Sequence, residues 1–244
     1  MMYNAIYCEF LKLKKSPIGI VLILGGMVEP ALMVFGQLYR GDIVEWNKYM
    51  NQIECITFLI VGGILFTLVS SYIYVREFME KVSSVTYSYS ISNTKIFFAK
   101  LITVFICIAY VYVLQFIASI LLGCLLDHEP LYKETLIIHT KIYMYSLFFQ
   151  CAIVPLSILI ASISEGVIMP ITYSVIGTFI SLVIMSSKKY GVYFPFTYPV
   201  LPIMSIGVEN SVVILSKYVF IVSIMFFIVT VLSCIIYYEK HDIS

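Results

Sequence analysis

Charge is what this sequence has least of. Asp, Glu, Lys and Arg make up 12% of its 244 residues, where an ordinary soluble domain carries about a quarter. With 61% hydrophobic residues and a mean hydropathy of +1.00, the chain lacks the polar surface that a soluble globule needs. The formal balance of +1 leaves no basic face of the kind that binds nucleic acid, so no nucleic-acid partner is expected. Catalytic signatures are missing as well. There is no G-x-x-x-x-G-K-[ST] loop to cradle ATP phosphates, no H-E-x-x-H and no G-x-S-x-G, and the six cysteines show no CxxC spacing or paired histidine. The cysteines read as small hydrophobes. No catalytic residue, no metal ligand and no cofactor of its own are expected in this chain.

What the sequence does have is long apolar runs. A bilayer core about 30 Å thick takes roughly 20 apolar residues per helix, and six runs answer to that, at about 18–38, 55–74, 96–126, 142–163, 167–185 and 212–238. The expected fold is an all-α integral membrane protein with six transmembrane helices, a single domain over 1–244. Ahead of the first run, Tyr3, Ile6, Tyr7, Phe10 and Leu13 recur at helical spacing, with Asn4, Glu9 and Lys12 largely elsewhere around the helix. That pattern predicts an N-terminal amphipathic interface helix over 1–16. Residues 1–15 carry alternating polar positions and read as mature chain, without the features of a cleavable signal. The cluster Lys12, Lys14 and Lys15 sets this end in the cytoplasm by the positive-inside tendency, which places both termini inside a multi-pass chain of the bacterial cell membrane. The remaining basic residues divide almost evenly between the two sides, so the triplet decides, and an inverted topology stays open.

Polar and proline-rich stretches interrupt the apolar pattern. Glu29-Pro30 sits near the middle of the first span, where a charged group costs roughly 2.5–3.5 kcal/mol and proline kinks the helix. Two readings stand side by side: a protonated carboxyl bonded to a neighbouring helix, or a group in a substrate path or gate. Gln115 and Gln150 are the other candidates for such a polar lining, and each has a plainer reading as interhelical glue. Gly62-Gly63 permits close helix approach. Residues 39–54 and 127–141 read as outer loops. The second holds Asp127, His128, Glu129 and His139, whose spacing is not that of a tetrahedral metal site. Residues 190–210 are apolar but broken by Pro195, Pro199 and Pro202, so short re-entrant pieces are expected before span six.

The polar elbow between spans two and three, residues 74–100, opens with Arg76, Glu77, Glu80 and Lys81 and closes with Lys95 and Lys100. Together with the amphipathic start ending in EFLKLKKS, its continuation SISNTKIFFAKL resembles the ABC-2 type permeases over the whole chain in span order. Size and a composition rich in Ile, Tyr, Phe and Lys are similar to the lantibiotic self-protection and bacitracin-resistance permeases of that family. The resemblance implies a coupling helix between spans two and three that lies against a separate ABC ATP-binding subunit. Glu77, Phe78, Glu80, Lys81, Val82, Val85, Tyr87 and Tyr89 are then the ATPase-coupling candidates, while 92–100 leads into span three. It further implies two copies of that subunit, which would hold ATP and Mg, and a second permease chain, identical or related. The cargo would be an amphipathic peptide antibiotic expelled from the membrane lipid, giving immunity or resistance. The alternatives are export of another amphipathic or lipid-like substrate, and a non-transporting membrane anchor or assembly factor.

Overall fold

In hydrocarbon the backbone N–H and C=O groups have no water to bond, so a chain this apolar must satisfy them within helices. The computed structural model describes residues 2–41, 43–79, 92–186, 190–206, 215 and 217–240. Of these 88% are helical and none is in a strand, which makes the fold all-α. Helix α1 spans Met2–Lys14 and α2 spans Ile18–Arg40. Helix α3, Trp46–Ile56, runs through a π-helical turn at Thr57–Val61 into α4, Gly62–Met79. Then come α5, Asn93–Gly123, α6, Lys133–Ser164, and α7, Ile168–Ser186. Short 3-10 turns at Gly191–Tyr193 and Pro195–Thr197 and the short α8, Leu201–Ile206, precede α9, Lys217–Lys240.

Among the described residues six helices are long and apolar enough to cross a bilayer: α2, the α3–α4 rod, α5, α6, α7 and α9. They divide by burial. The central windows of α3–α4, α5 and α6 are 50–56% buried, against 22–28% for α2, α7 and α9. The first three hold the core, and the other three turn most of their surface outward, as Ile20, Leu24, Phe35, Val183 and Met225 illustrate.

The helices reach further than the apolar runs alone suggest. Residues 46–54, expected as loop, are helical because Trp46, Tyr49, Met50 and Ile53 bury one face at helical spacing. Likewise α6 begins at Lys133 inside the expected loop 127–141, with Thr135, His139, Ile142 and Tyr143 turned inward. Where the two connections meet, Val44 and His128 form an isolated parallel bridge. The Val44 N–H donates to the Asp127 carbonyl at 2.8 Å, and the Glu129 N–H donates to the Val44 carbonyl at 3.1 Å. Trp46 Nε1 then donates to the Glu129 carbonyl at 2.8 Å. The proline-broken stretch is docked on α6: Tyr198 and Leu201 share a buried cluster with Phe149 of α6 and Val219 of α9, and the Ser146 hydroxyl donates to the Pro199 carbonyl at 2.6 Å.

Gly123 closes α5 directly under the Trp46 ring, and a Cβ there would lie 2.7 Å from a ring carbon. Gly123→Ala should therefore push the indole aside at an overpacking cost of about 1–3 kcal/mol. A lower melting temperature with a shifted emission from Trp46, the single tryptophan of the chain, is the expected result. Unchanged melting and emission would contradict the contact.

Candidate coupling site

The end of the molecule that carries α1 gathers five charged side chains from three helices. Glu9 and Lys12 lie three residues apart on α1 and so share a face, Arg76 and Glu77 close α4, and Lys100 lies two turns into α5. Removing an ion from water costs several kcal/mol even after relaxation, so carboxylates placed here must be partnered. Glu77 is, on both oxygens: Lys12 Nζ sits 2.7 Å from Oε1 and Lys100 Nζ 2.8 Å from Oε2. The side chains of Glu77 and Lys100 are 2% and 1% exposed, whereas Lys12 keeps 38%. Lys12 also reaches Glu9 Oε1 at 2.8 Å. Burial alone would lower the pKa of the Lys12 ammonium, but the hydrogen bonds and charges of Glu77 and Glu9 outweigh it and hold the value above the ordinary one. Arg76 Nη2 stands 3.7 Å from Glu9 Oε2, beyond hydrogen-bond length, with its guanidinium 6.0 Å from the Tyr72 ring centroid.

Aromatic residues seal this clasp. The Lys100 ammonium lies 5.6 Å from the centre of the Tyr74 ring, and the Tyr74 hydroxyl donates to the Phe97 carbonyl at 2.8 Å. Tyr238 of α9 stacks edgewise on Tyr74 at 6.3 Å and lies 5.6 Å from Phe97. Its hydroxyl is 3.1 Å from the Ser162 hydroxyl on α6, while the Tyr237 hydroxyl donates to the Ser162 carbonyl at 3.0 Å. Through Glu77 and this aromatic layer α1, α4, α5, α6 and α9 are tied together at one end.

Among the coupling candidates, Glu77 occupies the centre of the clasp. The Phe78 side chain and Glu80, Lys81, Val82, Val85, Tyr87 and Tyr89 lie outside the described residues. Of the path or gating candidates, Gln115 and Gln150 come to the same place and bracket the π-helical turn. Gln115 Nε2 donates to the Thr57 hydroxyl, and Gln150 Nε2 donates to the Gly62 carbonyl at 3.3 Å. Glu29 stands apart on α2, half-buried and without a hydrogen bond or ion pair to a described residue, next to the buried Pro30, through which the helix continues.

Sequence reasoning missed one pair altogether. His139 Nδ1 is 2.7 Å from Glu54 Oε1, with both side chains at most 1% exposed, and the contact links α3 to α6 at the end opposite the clasp. His128, its expected loop companion, lies instead against the Trp46 ring at 5.4 Å. The available signal was periodic: Thr135, His139, Ile142, Tyr143 and Ser146 fall on one helical face ahead of and into the apolar run.

Residues 5–181 match the model of the family described as ABC-2 family transporter protein. The matched stretch runs from α1 into α7 and contains all five residues of the clasp. No curated protein matches the chain.

The clasp makes two predictions. Glu77→Ala leaves Lys100 buried without its carboxylate and should cost about 3–5 kcal/mol, whereas the double variant Glu77→Leu/Lys100→Met should cost much less than the sum of its singles. Denaturation of the purified chain measures both, and simple additivity would contradict a coupled buried pair. Because the Lys12 pKa is raised on folding, its contribution is fully present below the ordinary value of 10.5 and fades as pH climbs through the raised value. The stability gap between the native chain and Lys12→Met should accordingly hold steady to about pH 10 and close above it; a gap that opens only at acid pH would contradict the pairing.

Proposed function

The chain belongs to the ABC-2 family of transporter proteins, membrane subunits that pair with an ABC ATP-binding subunit, and from that premise we propose that it exports an amphipathic peptide antibiotic of the lantibiotic type. Export of such a peptide from the membrane would give the cell immunity or resistance. The observation that carries the coupling half of this reading is Glu77 holding Lys12 and Lys100 at once, on either side of segment 80–91. A push delivered to that segment by the ATP-binding subunit reaches α4 through its C-terminal end and α5 through its N-terminal end, and the ion pairs carry α1 with them. Packed elements that switch between discrete arrangements transmit such a push as lever movements.

In this reading the α1 end faces the cytoplasm, supported by Lys12, Lys14 and Lys15 at the entry to α2, and α9 ends on the same side of a bacterial cell membrane. Two copies of the ATP-binding subunit carry the ATP and Mg, and a second permease chain, alike or related, completes the assembly. The outward-turned faces of α2, α7 and α9 leave room for that chain and for lipid. Size and composition support the peptide cargo. So does Glu29, a half-buried carboxyl without a partner among the described residues, suited to a cationic peptide passing along α2.

Two substitutions test the two halves. With its ATP-binding subunit co-expressed, Glu80→Ala/Lys81→Ala should lower peptide-stimulated ATP hydrolysis and export several-fold with membrane insertion unchanged; normal hydrolysis and export would count against coupling through this segment. Glu29→Gln should change export per assembled complex at unaltered yield, while a lower yield with unchanged export would make the carboxyl structural glue. Resistance that persists after the partner's ATP site is disabled would replace transport by a membrane-anchor role.

A further inference from the structure

At the end opposite the clasp, the last turn of α2, the first turns of α3 and the connection after α5 enclose an open cavity of about 540 Å³, within the range of small-molecule sites. Its walls include two cations, Arg40 and Lys48, two carboxylates, Glu45 and Glu129, and the polar side chains of Gln37 and Tyr49. None of the four charged groups forms an ion pair with a described residue. Two residues of the lining also carry a polar atom turned away from the cavity. The hydroxyl of Tyr49, a residue only 1% exposed, and Gln37 Oε1 are both buried without a hydrogen-bond partner among the described residues.

The depth of the cavity narrows what fills it. Helix α2 has 23 residues, so at about 1.5 Å per residue it rises about 34 Å, and Arg40 at its end reaches the boundary between hydrocarbon and water. Just below, Phe35, Leu38 and Tyr39 are exposed on the same helix. A polar cavity carrying both signs of charge, set above a bare apolar helix face, matches an amphiphile with a zwitterionic head. A simple anion would meet Arg40 and Lys48 but be repelled by Glu45 and Glu129, and a simple cation would meet the reverse.

We propose that this cavity binds the headgroup of a zwitterionic phospholipid, its phosphate held by Arg40 and Lys48 and its ammonium by Glu45 and Glu129. The acyl chains lie along the exposed face of α2. Charge-assisted hydrogen bonds to phosphate and to carboxylate are the stronger class. The site lies at the far end from the coupling segment and does not depend on which cargo is exported.

Trp46 makes the test direct, because it is the single tryptophan and its Nε1 is bonded to the carbonyl of Glu129 in the cavity wall. The purified full-length chain in dodecyl maltoside is titrated with dihexanoyl phosphatidylethanolamine while tryptophan emission is followed. Saturable change is expected, with dihexanoyl phosphatidylglycerol at least about tenfold weaker. Arg40→Gln/Lys48→Gln and Glu45→Gln/Glu129→Gln should each weaken the ethanolamine lipid by about tenfold or more. Gel-filtration elution identifies folded variants, and the single variants Arg40→Gln and Glu129→Gln read the same shift if a double variant does not fold. Equal response to the glycerol lipid, or unweakened titration in the folded variants, overturns the proposal. Equally tight saturation by glycerophosphoethanolamine would make this a site for a soluble zwitterion and overturn the lipid assignment. Saturation by a cationic amphipathic peptide with none by the ethanolamine lipid overturns it too.

Discussion

The energy of a buried carboxylate governs one end of this molecule. Glu77 lies at a helix terminus with almost no exposed surface, and a lone carboxylate in such surroundings would be severely penalised. Two ammonium groups from helices distant in sequence remove that penalty by taking one oxygen each. The consequence is mechanical as much as energetic. Helix α1 is fastened to the inner helices α4 and α5, and α9 is added through Tyr238 over Tyr74 and Phe97. A force applied to the segment between α4 and α5 therefore meets an assembled end, not a single helix.

The middle and far end are held by other means. Around the π-helical turn, two amides bond neighbouring helices without any charge. Beyond it the Val44 and His128 connections pair through backbone, Trp46 covers Gly123, and Glu54 meets His139 inside. The end beside residues 80–91 is thus held by ion pairs, and the end opposite it by backbone pairing, aromatic packing and the Glu54–His139 contact. The family membership gives that arrangement its use: the chain supplies the path through the membrane, and the ATP-binding subunit supplies the work.

Much of the scaffold was legible in the residues. Hydropathy located six spans, Gly62-Gly63 marked a close approach, now seen as Gly63 facing the Thr178 hydroxyl on α7, and Pro195 to Pro202 marked a stretch that is not a regular span. What hydropathy could not register was helix continuing past the hydrocarbon. Lys133, Glu134 and His139 lower the local average although α6 already runs through them, and the same holds for Trp46 to Glu54 in α3. Pairing was less legible still. Glu77 stands 65 residues from Lys12 and 23 from Lys100, and no local periodicity links such positions. Read along the chain, their charges belonged to a polar elbow, with Glu77 a candidate for contact with a partner; in the fold Glu77 and Lys100 are among its most buried side chains.

The central claim, that the ATP-binding subunit acts on the segment next to the clasp, is tested most directly by proximity in the working complex. A photo-crosslinking amino acid is placed at Val85, and separately at Glu129, in inverted membrane vesicles containing the ATP-binding subunit. The account predicts a covalent adduct with that subunit from position 85 whose yield changes on adding ATP, and none from position 129. An adduct from position 129 with none from position 85 would contradict it.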